Sequence, residues 1–109
     1  MYAVIYRWKL KPGTEDDFRD AWRRGTIEIR DQFGTGGSRL HHAEDGTWVA
    51  YARWASKEDR DRALEGPPSP AVEELRGYVE DRLEEISLEI TDDLLSAEAT
   101  LPFGTRSST

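Results

Sequence analysis

The chain has 109 residues, a formal net charge of −7 at pH 7 and no cysteine, with 37% hydrophobic and 34% charged residues. This length and balance suit one globular domain. The acidic charge and the lack of a basic cluster argue against nucleic acid as a partner. The lack of cysteine excludes disulfides, thiolate nucleophiles and cysteine-based zinc sites, and it fits a reducing cytoplasm.

The first residues, MYAVIYRWKLK, lack the apolar run of a signal peptide. No stretch of the sequence approaches the roughly 20 apolar residues that cross a bilayer. We therefore expect a soluble, cytoplasmic protein without a membrane partner.

Residues 2–11 have the β-branched and aromatic content of a strand. Strand alternation places five large side chains on one face: Tyr2, Val4, Tyr6, Trp8 and Leu10. A Pro-Gly turn follows at Pro12-Gly13.

A helix is predicted from Thr14 to Phe33, with Thr14 and Asp17 as a capping box. Its apolar stripe recurs at helical spacing, in Phe18, Trp22, Ile29 and Phe33. Gly25 lies in the middle of this helix, where glycine lowers helix stability by about 1 kcal/mol relative to alanine. Three interpretations stay open: a close approach to the sheet, room for a ligand, or a break.

A β-hairpin is predicted from residues 38–42 and 47–54, around a type I′ turn at Asp45-Gly46. Its second strand presents Trp48, Ala50, Ala52 and Trp54 on one face. If the loop has an even number of residues, His41 shares this face and His42 takes the other. A three-residue loop would reverse the assignment.

The two histidines are adjacent on a strand, so they point to opposite faces and cannot bind one metal ion together. A zinc or iron site needs about three convergent ligands. The spacing therefore predicts no protein metal site. His41 is either an exposed edge residue or an acid–base or hydrogen-bonding group at the rim of a pocket.

Beyond the hairpin, Ser56 and Asp59 predict a capped short helix that ends near Glu65. The sequence GPPSP at 66–70 interrupts it, and a second piece is predicted to continue from Pro70 to residue 83. Residues 86–95 alternate as a final strand. The domain is predicted over 1–97, with a disordered tail at 98–109.

The predicted order is β-α-β-β-α-β, which indicates an α+β, ferredoxin-like antiparallel sheet with helices on one face. The other face would carry Ile5, Leu40, Val49 and Tyr51. A sheet face this apolar favours burial, and a second copy related by a two-fold axis would bury it. We therefore expect a homodimer.

The segments LKPGTEDDF and DGTWVAYARWASKED, in this element order, resemble the antibiotic biosynthesis monooxygenase superfamily of dimeric α+β barrels over about residues 2–95. The haem-degrading branch uses an Asn on the first strand, a Trp at the end of the third and a His on the later helix. Trp54 matches the Trp, but Tyr6 stands at the Asn position and residues 71–83 contain no His. The axial ligand of that branch is therefore missing.

The quinone-forming branch of the superfamily needs neither metal nor flavin, so the resemblance implies no cofactor. Its proteins hold a flat ring, exclude water and donate hydrogen bonds to a developing oxyanion. Trp54, Tyr6 and His41 are the predicted catalytic donors, with Trp22 as a further candidate. Members of this branch use an Asn, a Trp and an Arg, and this chain contains no Asn.

Large side chains around small ones on the helix-facing side predict an aromatic-lined cleft. The expected substrate-binding residues are Trp8, Trp22, Gly25, Trp48, Ala50 and Ala52. The alternative is that Trp22 and Phe18 fill this space as core. The resemblance implies a cofactor-independent monooxygenase for an aromatic or polyketide-like molecule. The alternatives are an isomerase or cyclase, a non-catalytic ligand-binding or accessory domain, and a structural dimer with a closed cleft.

Overall fold

Regular elements follow one another along residues 1–34 and 36–95, which the computed structural model describes. In chain order they are β1 (Tyr2–Leu10), α1 (Glu15–Phe33), β2 (Ser38–His42), β3 (Trp48–Trp54), α2 (Lys57–Ala63), α3 (Pro70–Gly77), β4 (Val79–Arg82) and β5 (Ile86–Glu89). This arrangement confirms the predicted α+β, ferredoxin-like fold. The predicted tail at 98–109 and the predicted domain end at residue 97 lie outside the described residues.

The sheet is antiparallel with the order β2-β3-β1-β4, and β5 also pairs with β1. One edge of β1 pairs with β3 along most of its length, from Tyr2 opposite Trp54 to Trp8 opposite Trp48. The other edge is shared, because β4 takes the end near Leu10 and β5 takes the end near Tyr2. The last two strands therefore lie end to end beside the first.

The prediction of a helix over residues 70–83 is wrong in its second half, because α3 ends at Gly77 and the chain turns into β4. Val79 pairs with Leu10 of β1 instead of extending the helical stripe of Val72 and Leu75. Glycine favours helix ends, and the β-branched Val79 suits a strand.

One of the two predicted caps is confirmed. The Ser56 hydroxyl accepts a hydrogen bond from the Asp59 backbone N–H at 3.1 Å and begins α2. The capping box at Thr14 is wrong, because the Thr14 hydroxyl donates to the Lys11 carbonyl at 2.7 Å. Acidic side chains in the first turn of α1 instead face its partial positive charge.

The hairpin loop has three residues, Glu44–Gly46, rather than the predicted two. The Ala43 N–H donates to the Thr47 carbonyl at 2.8 Å, and the Gly46 N–H donates to the Ala43 carbonyl at 3.0 Å. Gly46 has φ +91°, a conformation that glycine adopts without strain. The Asp45 side chain fixes this loop by accepting from the backbone and hydroxyl of Thr47.

The odd loop reverses the predicted faces of the histidines. His42 lies opposite Trp48, and His41 lies opposite Val49 on the other face. Leu40 also changes face, because it lies opposite Ala50 and packs under the helices.

The helix-facing side of the sheet carries two clusters of buried side chains. One contains Val4, Ala52 and Trp54, and the other contains Leu10, Phe18 and Trp48. Within the described residues, no helix combines the length and apolar character needed to cross a membrane.

Candidate functional site

A cleft of about 490 Å³ lies between the helix-facing side of the sheet and helices α1 and α3. This volume is within the range of small-molecule sites. The sheet lines it with Tyr6, Trp8, Ala50, Ala52 and Trp54, and the helices with Trp22, Gly25, Ile29, Val72 and Leu75. The side chains of the described residues therefore leave the predicted aromatic-lined space open.

Small residues create this space. Ala50 lies opposite Tyr6 across the β1–β3 pair, and Ala52 follows on the same face. Gly25 faces α3, where a Cβ would make only an ordinary contact, 3.4 Å from Cγ2 of Val72. The helix continues unbroken through Gly25. The prediction of room for a ligand fits the cleft, whereas a break in the helix is wrong.

Trp54 contributes an unused hydrogen-bond donor. The side chain is 4% exposed, and its indole Nε1 has no hydrogen-bond partner of good geometry among the described residues. This N–H lies near the Tyr6 hydroxyl and lowers its pKa, as the smallest of the contributions to that pKa. A buried donor without an acceptor is unfavourable by about 1–3 kcal/mol. The protein therefore maintains a donor that a ligand oxygen would satisfy.

The Tyr6 hydroxyl stands beside a charged cluster behind the cleft. Burial raises the pKa of Tyr6 above its ordinary value of 10.0, and the Arg60 guanidinium opposes that rise. Arg60 donates to Oε1 of Glu85 at 2.9 Å, while Arg82 donates to Oε2 at 2.8 Å. Tyr6 therefore remains a neutral phenol at physiological pH.

Arg82 is a cleft residue that the sequence did not reveal. It lies opposite Trp8 across the β1–β4 pair and lines the cleft on that side. Arg82 fell within the predicted helix over 70–83. Gly77 is the sequence feature that could have predicted an earlier end of that helix. The ion pair with Glu85 restricts the position of its guanidinium.

The cleft collects seven of the nine predicted site residues: Tyr6, Trp8, Trp22, Gly25, Ala50, Ala52 and Trp54. Trp48 lies outside it, because its ring packs against Phe18 at 6.0 Å between centroids. His41 also lies outside it, on the opposite face of the sheet, with Nδ1 3.1 Å from the Val49 carbonyl oxygen. The prediction that His41 faces the cleft is therefore wrong.

The charged part of the lining is balanced in sign. Arg76 and Arg82 are accompanied by Glu80 and Asp81. In the part of the chain that the structure describes, no three His, Cys, Asp or Glu side chains are grouped closely enough to hold a metal ion. The cleft thus offers indole, phenol and guanidinium donors on largely apolar walls.

A family model described as antibiotic biosynthesis monooxygenase matches residues 1–75. No curated protein matches the chain.

Solved structures share the fold at low sequence identity. A variant of SnoaB, a cofactor-independent oxygenase from Streptomyces nogalater, has a TM-score of 0.73 and 21% identity over 87% of this chain and 97% of that chain. Rv0793 from Mycobacterium tuberculosis has a TM-score of 0.68 and 20% identity over 86% of this chain and 98% of that chain. A conserved protein from Methanosarcina mazei Go1 has a TM-score of 0.67 and 12% identity over 83% of this chain and 92% of that chain.

Proposed function

The chain belongs to the antibiotic biosynthesis monooxygenase family, and we propose that it is a cofactor-independent monooxygenase that converts a flat aromatic or polyketide-like phenol to a quinone. The unpartnered indole N–H of Trp54, in the wall of an aromatic-lined cleft, is the main support for this proposal. The likeness to SnoaB, which is described as a cofactor-independent oxygenase, agrees with it.

The reaction would proceed through an oxyanion of the substrate. In an anthrone, loss of a ring CH₂ proton to solvent gives an aromatic oxyanion, which passes one electron to O₂. The resulting superoxide and carbon radical combine to a peroxide anion, which takes up a proton from solvent, loses water and leaves a carbonyl. One oxygen atom of O₂ enters the quinone and the other leaves as water.

The residues of the cleft have separate roles in this scheme. Trp8 and Trp22 would hold the flat ring, and the apolar walls would exclude water. Trp54 would donate its indole N–H to the oxyanion, and Tyr6, as a neutral phenol, would donate its O–H. The Arg82 guanidinium would stabilise the anionic oxygen species.

The experiment is oxygen uptake with a dihydroxyanthrone as the probe. We expect Trp54→Phe to lower kcat by about 100-fold, the usual effect of removing one oxyanion donor. Tyr51→Phe is the control, because Tyr51 lies on the same strand but faces away from the cleft. Unchanged turnover in Trp54→Phe would refute the donor role.

A second candidate function is non-catalytic binding of the same class of aromatic molecule. It is favoured by the absence of any Asn from the chain, since the quinone-forming branch uses one. Reversible binding of the anthrone without oxygen uptake would support this candidate and contradict the oxygenase.

We also infer that two copies pair through the outer face of the sheet. On that face, Ile5 of β1 lies opposite Tyr51 of β3 on one side and opposite Ile86 of β5 on the other. The side chain of Ile86 is 41% exposed. Such an apolar row favours burial against a second copy.

Native mass spectrometry and light scattering test this pairing. We expect Ile86→Lys to dissociate the dimer. Ile27→Lys is the matched control, because Ile27 is 40% exposed but lies on α1. A monomeric native protein, or equal dissociation in both variants, would contradict the inference.

A further inference from the structure

A second concave surface, the basic groove, lies between the first half of α1 and the edge strand β2. It has a volume of about 500 Å³. Its functional groups are Arg19, Arg23, Arg39 and His42, beside the rings of Trp22 and Trp48. The proposed oxidation uses none of these four polar residues.

The charged side chains that line the basic groove are of one sign. Three arginines line it, and none of its described lining residues is acidic, although the chain as a whole carries −7. In the cleft, by contrast, two arginines are accompanied by two carboxylates. Concave surfaces lined by one sign of charge concentrate ligands of the opposite sign. The basic groove therefore favours an anion.

The helical arginines of the basic groove are only weakly engaged elsewhere. Arg19 lies 3.6 Å from Asp16, and Arg23 lies 3.6 Å from Asp20, which makes a closer contact of 2.9 Å with Arg24. Exposed ion pairs of this kind contribute about 0–1 kcal/mol. Arg19 and Arg23 are four residues apart and lie on one side of α1. Both guanidiniums are therefore available to a ligand at little energetic cost.

An aromatic floor completes the basic groove. The His42 imidazole stacks on Trp48 with ring centroids 4.3 Å apart and an interplanar angle of 9°. Stacking restricts the orientation of the imidazole, which carries at least one N–H donor in either protonation state.

The basic groove and the cleft are neighbours, because Trp22 and Ser38 line both. A ring system held against Trp22 in the cleft would therefore have a substituent within reach of the basic groove. We propose that the basic groove binds the anionic group, a carboxylate or a phosphate, of the ligand whose ring system occupies the cleft. The proposal rests on the ligand-binding role of the cleft given above, and is independent of the oxidation.

Calorimetric titration with three anthracene probes tests the proposal. The probes carry a carboxylate, a methyl phosphate or a neutral carboxamide. We expect at least one anionic probe to bind the native protein about tenfold or more tightly than the carboxamide. The stronger of the two anions identifies the preferred group.

The double variant Arg19→Gln/Arg23→Gln should lose this preference and keep its affinity for the carboxamide. The matched control is Arg30→Gln/Arg62→Gln, which removes the same charge from two exposed positions outside the groove. The preference should survive in this control.

Equal affinity for all three probes would refute anion binding by the basic groove, and it would leave ligand binding by the cleft unaffected. Equal loss of preference in both double variants would also overturn it, because the effect would then be one of overall charge. Failure of all three probes to bind would overturn the ligand-binding cleft, and the basic groove with it.

Discussion

Trp48 and Trp54 begin and end the same strand and face the same side of the sheet, and both are buried, at 8% and 4% exposure. Trp48 packs against Phe18, which also meets Trp8 edge-on at 5.3 Å between ring centroids. Trp48 therefore packs in core on its helix side, and its ring also borders the basic groove. Trp54 lines the cleft, and its indole N–H has no hydrogen-bond partner among residues 1–34 and 36–95.

The difference comes from the neighbours of each ring. Ala52 packs beside Trp54 and lines the cleft, whereas α1 places the fully buried Phe18 against Trp48. The two tryptophans share residue type, strand and sheet face. The volume of the surrounding side chains decides whether such a residue supports the core or lines a site.

The largest expected effect comes from replacing each tryptophan by alanine. We expect Trp48→Ala to lower the free energy of unfolding by about 3–5 kcal/mol, because it leaves a cavity in a packed cluster. Trp54→Ala should lower it by at least about 1 kcal/mol less, because the deleted volume joins a cleft that already exists. Urea denaturation measures both variants. Equal losses would mean that the Trp54 end is packed as tightly as the core.

Larger side chains at two buried alanines provide a second test of the difference between core and cleft. Ala21 and Ala50 are both buried, at 0% and 1% exposure, but only Ala50 lines the cleft. We expect Ala21→Leu to destabilise the protein by about 1–3 kcal/mol through overpacking, and Ala50→Leu by less than about 1 kcal/mol.

Ala50→Leu should also abolish binding of the anthracene carboxamide, because the new side chain occupies the cleft. Denaturation and calorimetry on the same two variants separate these effects. Full affinity in Ala50→Leu would place the ligand elsewhere.

Strand alternation and helical periodicity, both local patterns, were enough to predict which residues of β1 and β3 face the helices. The faces of His41 and His42 depended on one residue of loop length. The Asp45 side chain sets that length through its bonds to Thr47, which alternation along the strands does not reveal.

Arg82 could not be placed from local pattern because β4 has only four residues and is held by its pairing with β1. The stripe of Val72, Leu75 and Val79 fits a helix locally, and tertiary pairing overrides it. Arg60 and Glu85 are 25 residues apart and meet only in the folded chain. The polar surroundings of Tyr6 therefore could not be predicted from the sequence.

The smallest expected effect is on the pH dependence of stability. Because the pKa of Tyr6 is raised above 10.0, its neutral form contributes stability that is fully present below pH 10 and is lost as pH rises through the folded-state pKa. Tyr6→Phe removes the ionisable group, so its stability should fall less steeply between about pH 9 and about pH 12. Tyrosinate absorbance gives a second measurement: the midpoint of the difference between the native and Tyr6→Phe titrations should lie above pH 10. A midpoint below pH 10 would mean that Arg60 outweighs burial. Tyr6 would then ionise more readily to the anionic form, which can accept but not donate a hydrogen bond.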